Sequence, residues 1–256
     1  MGLIASVSSS KGGSGKSTTS MNLGVSLAKL GRDVTIVDAY LSTPYLSMYL
    51  GAPNVPVTLH HVLKGTAGIH EAIYHHESGA KIIPGSLSMR DFEDINLEDL
   101  KHYLPHLKSD IIILDGAPGL DKEAQASIKL ADEVLVVTTP ELPSVAQSLK
   151  TIRFAQVHSK KITGIVLTRA GHDLDLKIKN IQTILEHPVI GIIPEDAHVK
   201  KAMVKREPVV YVYPNAPSSV AYRKLALYLT GHHDQENADN IGSAYRFMRW
   251  AFGVRE

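Results

Sequence analysis

Residues 3–19 read LIASVSSSKGGSGKSTT, and this stretch decides the fold. Its first five residues form an apolar run of the length of a buried strand. A glycine-rich loop follows, and residues 17–30 then show the apolar spacing of a helix. Strand, glycine-rich loop and helix in this order are the context in which a phosphate-binding loop occurs.

The loop carries the residue types that bind a phosphate chain. Glycines allow the backbone to turn tightly, so that successive N–H groups and the helix N-terminus can approach an anion. Lys16 would neutralise the β- and γ-phosphates, and the Ser17 hydroxyl would ligate Mg²⁺. A glycine-rich turn that merely precedes a helix is the alternative, which the accompanying lysine and hydroxyl disfavour. The predicted nucleotide ligands of the loop are Lys11, Gly12, Gly13, Ser14, Gly15, Lys16, Ser17 and Thr18.

Apolar runs and helical patterns alternate along the chain. Further strand-length runs occupy residues 34–37, 81–83, 111–114, 134–137, 165–167 and 189–193. Helical spacing is found at residues 97–104, 125–130, 144–158 and 176–185. Such alternation predicts an α/β fold, a mainly parallel twisted sheet with helices on both faces.

The composition excludes several kinds of protein. The 256 residues include 27 basic and 26 acidic side chains, a formal net charge of +1, so no global field attracts nucleic acid. Cysteine is absent, which excludes disulfides, thiolate metal sites and cysteine-ligated iron–sulfur clusters. We find no signal peptide and no run of membrane-spanning length, and expect a cytoplasmic protein.

Two acidic residues follow apolar runs. Asp38 and Asp115 would both lie at the carboxyl ends of strands, where open α/β sheets bind ligands. With Ser17 they form the predicted Mg²⁺ site. Acidic residues that only cap strands are the alternative.

The run KGGSGKST, residues 11–18, resembles the deviant phosphate loop of the MinD/ParA family of P-loop ATPases. Residues 131–145 and 189–226 also look much like the family's MinD branch in order and spacing. The resemblance implies the cofactors ATP, ADP and Mg²⁺ and an ATP-dependent homodimer. It implies that Lys11 reaches the partner's nucleotide, and that Lys11, Lys16 and Asp38 serve ATP hydrolysis.

The resemblance also implies an adenine pocket. Pro194, Glu195 and Asp196 match the residues that line it in the family. Thr168 and Arg169 fall where the family usually has Asn and Arg beside the base.

One position departs from the family. Its switch I normally contains Asp-x-Asp, whereas this chain has Asp38, Ala39 and Tyr40. A phenol with a pKa of about 10 is a poor general base at neutral pH. We therefore expect slow or partner-dependent hydrolysis, unless another group orders the attacking water and the replacement is harmless.

The last residues differ from the preceding chain. We divide the chain into a P-loop ATPase domain (1–230), a polar linker (231–240) and an amphipathic helix (241–256). A basic helix with bulky aromatics suits a membrane interface, and MinD proteins carry a membrane-targeting helix in the same place. Docking on protein is the alternative. The predicted membrane contacts are Ile241, Tyr245, Phe247, Met248, Trp250 and Phe252.

Together these observations predict a MinD-like ATPase, peripheral on the inner face of the cell membrane, that positions a protein partner. A ParA-like DNA-binding ATPase and a nucleotide-dependent scaffold without hydrolysis are the rivals. Near-neutral charge and the aromatic tail weigh against DNA binding.

Overall fold

A computed structural model describes residues 2–51, 55–88, 91, 95–171 and 175–231. The predicted linker beyond residue 231 and the predicted helix 241–256 lie outside these residues.

The described residues form one sheet of eight strands in the order β3-β4-β2-β5-β1-β6-β7-β8. The strands are β1 (Leu3–Ser9), β2 (Val34–Ala39), β3 (Tyr74–His75), β4 (Lys81–Ile83), β5 (Ile111–Pro118), β6 (Glu133–Thr138), β7 (Lys161–Ala170) and β8 (Val189–Pro194). Each neighbouring pair is parallel except β3 with β4. The predicted fold class, a mainly parallel sheet, is confirmed.

Helices connect the parallel strands and cover the sheet. They are α1 (Lys16–Lys29), α2 (Leu59–Leu63), α3 (Lys122–Leu130), α4 (Leu142–Val157), α5 (Ile178–Leu185), α6 (Ala197–Val204), α7 (Val209–Val212) and α8 (Pro217–Leu229). Single 3₁₀ segments occur at Leu46–Leu50, Ile69–Ala72, Leu97–His102 and Leu104–His106.

Alternate residues of the central strands enter different cores. In β5, Ile113 packs with α1 residues such as Met21, whereas Ile112 and Leu114 pack with Ala126 of α3. Side chains of a strand point alternately to its two faces, so the sheet is covered on both sides. The near-continuous apolar runs of the sequence are those of strands buried on both faces.

The predicted helix at residues 97–104 is wrong in type. The structure has two 3₁₀ segments there, Leu97–His102 and Leu104–His106. Pro105 explains the difference, because its ring would clash with the carbonyl four residues earlier in an α-helix and its nitrogen cannot donate. The residue before a proline also disfavours helical dihedrals.

The other predicted helices are present with shifted ends. The prediction placed one helix at 125–130, but α3 begins at Lys122 because the Asp121 side chain accepts a hydrogen bond from Ala124 N at 2.9 Å. Sequence periodicity did not identify α2, α6, α7 or α8. Helices α2 and α7, with five and four residues, are too short to show a helical period.

Candidate nucleotide-binding site

The phosphate loop lies between the end of β1 and the start of α1. Gly13 and Gly15 have φ values of +78° and +84°, which L side chains rarely adopt. A Cβ on Gly12 or Gly13 would meet nothing within 4 Å, so the loop is open to approach and the positive φ of Gly13, rather than crowding, favours glycine there. Gly15 is the residue before Lys16, where the helix begins.

Lys16 is buried at the centre of the site. Its side chain is 7% exposed, and its Nζ donates to Asp115 Oδ1 at 2.9 Å. Ser20, one helical turn after Lys16, donates its hydroxyl to the same oxygen at 2.9 Å. Sequence analysis missed Ser20, although its spacing of four from Lys16 places both residues on one helix face.

Asp38 and Asp115 are direct neighbours in register on β2 and β5, and both are fully buried. Asp38 Oδ2 accepts hydrogen bonds from the backbone N–H groups of Tyr45 and Leu46, each at 2.8 Å. Burial, and then the nearby charge of Asp115, raises the pKa of Asp38 to about 7. The structure thus brings together the two carboxylates that the sequence predicted to share a site.

These residues fit a divalent cation and phosphate. Within the described part of the chain, Asp38 Oδ1, Asp115 Oδ2 and Ser14 Oγ are buried without a hydrogen-bond partner. Buried polar atoms that lack a partner are rare, and hard oxygen atoms are the ligands that Mg²⁺ prefers. The Ser17 hydroxyl, which accepts from Lys16 Nζ at 3.3 Å, lies beside this group.

Tyr40, the switch I departure, also lies at this site. Its half-buried ring centroid is 5.9 Å from Lys16 Nζ, a cation–π distance. An aromatic ring, rather than a carboxylate, thus lies near the lysine at this position.

Lys11 is separate from the buried group. Its side chain is 57% exposed, and its Nζ lies 3.8 Å from the exposed Glu141 carboxylate. Exposed ion pairs of this kind contribute little and break easily. The Lys11 side chain thus faces solvent rather than the buried carboxylates.

Thr168 and Arg169 lie near the end of strand β7. The buried Thr168 hydroxyl donates to the carbonyl oxygen of Ser14. Arg169 has a φ of +52°, unusual for a residue with a side chain, and its Nε is 3.9 Å from Glu195 Oε2. The structure brings Thr168 to the phosphate loop, and Arg169 to the exposed Glu195.

The remaining predicted base-side residues follow β8. Pro194 is buried at its end, and Asp196 caps α6 by accepting a hydrogen bond from His198 N at 2.9 Å. Asp196 also accepts from the backbone N–H and the hydroxyl of Ser218, at 3.0 and 2.7 Å. These hydrogen bonds outweigh the effect of burial and lower the pKa of Asp196. The Asp196 carboxylate thereby joins α6 to α8, and its contact with a base stays a prediction.

The predicted membrane contacts, Ile241 to Phe252, lie outside the described residues. Among the helices that the structure does describe, none has the length and apolar character needed to cross a membrane.

Comparison with known protein families assigns the chain to a family. Residues 5–209 match the family model of the CobQ/CobB/MinD/ParA nucleotide-binding domain. The chain belongs to this family. The MinD/ParA assignment predicted from the loop is thereby confirmed.

Several known proteins are similar over almost the whole chain. An uncharacterized ATP-binding protein of Methanocaldococcus jannaschii is 36% identical over 260 residues, which cover 100% of this chain and 98% of the relative. The cell division ATPase MinD of Pyrococcus furiosus has 32% identity and a TM-score of 0.87, covering 91% of this chain and 100% of that one. MinD of Pyrococcus horikoshii, solved in complex with Mg-ADP, has 31% identity and a TM-score of 0.86, covering 90% and 97%.

Proposed function

We propose that this protein is a MinD-like ATPase that binds ATP and ADP with Mg²⁺ at the loop around Lys16. One observation carries the proposal. Lys16, Asp38, Asp115 and Ser14 form a buried polar group next to glycines whose φ angles are positive. Lys16 and the loop amides would bind the phosphates. Ser17, Asp38 and Asp115 would hold Mg²⁺, which supplies charge neutralisation when bound.

Hydrolysis is proposed to be slow or partner-dependent. Tyr40 lies beside Lys16, where it can shield the lysine but offers no carboxylate to position water. Lys16 can still stabilise the charge that develops during phosphoryl transfer. The same observation supports a second candidate function, a nucleotide-dependent scaffold without hydrolysis.

We further propose that ATP promotes a homodimer. The exposed Lys11 side chain, whose ion pair with Glu141 is also exposed, would contact the nucleotide of a second copy. Support for this step comes from the MinD-like sequence of the loop and from the exposure of Lys11.

The dimer would attach reversibly to the inner membrane face through residues 241–256 and position a protein partner. Burial of two or three such apolar side chains contributes roughly 1.5 to 3 kcal/mol each at full burial, so one helix binds marginally. Two helices on one dimer bind far more strongly, because the second event is intramolecular. ATP would then control membrane affinity.

Liposome co-sedimentation tests this proposal. The full chain and a truncation after Asn240 are mixed with anionic vesicles in the presence of ATP, ADP or no nucleotide. We expect ATP to increase binding selectively and the truncation to abolish it. Absence of binding in every condition would reject the membrane step and favour the scaffold or a DNA-binding ATPase, which DNA retardation across a salt series separates.

A further inference from the structure

The end of strand β7 touches the phosphate loop through one buried side chain. Thr168 is 3% exposed, and its hydroxyl donates to the carbonyl oxygen of Ser14. The carbonyl oxygen of Thr138 is farther from the same hydroxyl, at 3.4 Å. A threonine hydroxyl has one proton, so donation to Ser14 leaves it only acceptor capacity toward a ligand.

The same side chain packs against Gly15. A Cβ built on Gly15 would lie 3.4 Å from the Cβ, Cγ2 and Oγ1 atoms of Thr168. Gly15 has a φ of +84°, and α1 begins at the next residue, Lys16. Thr168 therefore supports the turn from which the phosphate-binding lysine projects.

The residues after Thr168 contact the segment that follows β8. The carbonyl oxygen of Ala170 accepts a hydrogen bond from Glu195 N at 3.0 Å. Arg169 lies in sequence between Thr168 and Ala170, the two residues that make these contacts. Its backbone has a positive φ, and its side chain lies near Glu195. One strand end thus fixes the phosphate loop on one side and the predicted base-side segment on the other.

We propose that Thr168 is a positioning residue for the triphosphate, acting through the Ser14 carbonyl and Gly15, and does not read the base. The inference rests on the proposed function, since it requires the loop to bind a phosphate chain. It differs from the role that the resemblance implies, in which residue 168 lies beside adenine.

Ligands with and without a base test the inference. The full chain carries Thr168→Val, which removes the hydroxyl at nearly constant volume, or Thr168→Ser, which keeps it. Calorimetry with Mg²⁺ measures the Kd of ATP and of inorganic tripolyphosphate. We expect Thr168→Val to weaken both by the same factor, about 5- to 10-fold, because the buried Ser14 carbonyl loses its donor. Thr168→Ser should stay within about twofold of the wild type.

A matched control is Thr163→Val on the same strand. The Thr163 hydroxyl donates to Glu133 Oε2 at 3.0 Å, away from the loop, so this variant should bind both ligands like the wild type. Hydrogen exchange supplies a readout without nucleotide. The peptide containing Ser14 and Gly15 should exchange faster in Thr168→Val than in Thr168→Ser. Thr168→Ala replaces the valine variant if the latter does not fold.

Two results would overturn the inference. A loss of ATP affinity with unchanged tripolyphosphate affinity would show that Thr168 contacts the base. Unchanged affinity for both ligands would show that the hydroxyl does not position the loop. If the wild type binds neither ligand, the proposed function itself fails and the inference with it.

Discussion

Lys16 pairs with a buried carboxylate in the nucleotide-free protein and is the proposed ligand of the phosphates. Its ammonium group pairs with Asp115 at 2.9 Å while the Asp38 carboxylate is buried on the next strand. One cation thus partly compensates two buried carboxylates, which burial alone would strongly disfavour in their charged form. A phosphate chain and Mg²⁺ would supply opposite charges to this group, so ligand binding exchanges one set of charge pairs for another.

Tyr40 should limit the rate of hydrolysis. We expect Tyr40→Asp to raise phosphate release by about tenfold or more, because a carboxylate can position or activate water and a neutral phenol cannot. The measurement is steady-state phosphate release at saturating ATP and Mg²⁺, with nucleotide affinity determined in parallel.

Tyr40→Phe is the matched control for this change. It keeps an aromatic ring near Lys16 and removes only the hydroxyl, so its phosphate release should equal that of the wild type. A large loss of activity in Tyr40→Phe would instead show that the phenolic hydroxyl takes part in the reaction.

At the scale of elements, helix α3 packs directly against strand β5 at Gly116, the residue after Asp115. A Cβ on Gly116 would lie 2.5 Å from Ser127 Oγ and 3.4 Å from the carbonyl oxygen of Val7. We expect Gly116→Ala to lower the free energy of unfolding by about 1 to 3 kcal/mol through overpacking. Urea denaturation of the nucleotide-free protein measures the change.

Ser127→Ala should rescue part of this loss, since it removes the closest atom and leaves the Ser127 Cβ at 3.3 Å. The double-mutant cycle should therefore show a favourable coupling. Gly12→Ala, which meets no atom within 4 Å, is the control and should change stability by less than about 0.5 kcal/mol. Strict additivity of Gly116→Ala and Ser127→Ala would contradict this packing.

Helix α2 is attached to the segment after β4 through His60. The ring is buried, and its Nδ1 accepts from Ser86 N at 3.0 Å. Burial lowers the pKa of His60 to about 4 from its usual 6.5. The folded protein thus binds fewer protons than the unfolded chain between these values. The neutral His60 ring therefore contributes to the free energy of unfolding in full above pH 6.5, and this contribution is lost as the pH falls toward 4.

We expect this pH dependence to be smaller in His60→Asn, whose side-chain oxygen can still accept from Ser86 N. Between pH 7 and pH 5, the free energy of unfolding of the wild type should fall by about 1 kcal/mol more than that of the variant, a figure reduced for solvent screening of the charged ring. Urea denaturation at both pH values measures the difference. The exposed His106→Gln should follow the wild type, and equal losses in His60→Asn and wild type would refute the assignment.

At the scale of the whole molecule, the proposed dimer depends on Lys11 rather than on the buried group. Lys11→Ala should remain monomeric with ATP, because it lacks the side chain proposed to reach the second nucleotide. It should still bind ATP in each chain, because Lys11 is 57% exposed and pairs with Glu141, whereas Lys16 is the residue that pairs with Asp115. Light scattering coupled to gel filtration, with ATP or ADP, measures the mass.

The exposed Lys108→Ala is the control for this loss of one positive charge and should dimerise with ATP like the wild type. Retained dimerisation of Lys11→Ala, or failure of the wild type to dimerise with ATP at any concentration, would count against the dimer proposal.

The sequence alone determined the α/β class, the approximate position along the chain of the main strands, and the position of the phosphate loop. These features depend on local periodicity, glycine content and the spacing of a few polar side chains, all of which are continuous in the chain. Asp38 and Asp115 were also predictable as neighbours, because parallel strands end at the same edge of a sheet.

Only the tertiary structure decided which partners the site residues take. Thr168 and Ser14 are separated by 154 positions, and Asp196 and Ser218 by 22, so no local pattern reveals that these groups bind one another. The contact between the Tyr40 ring and Lys16 likewise depends on how helix α1 packs relative to the end of strand β2. Hydrogen bonds and ring contacts form between atoms that packing brings together, and packing depends on the whole chain.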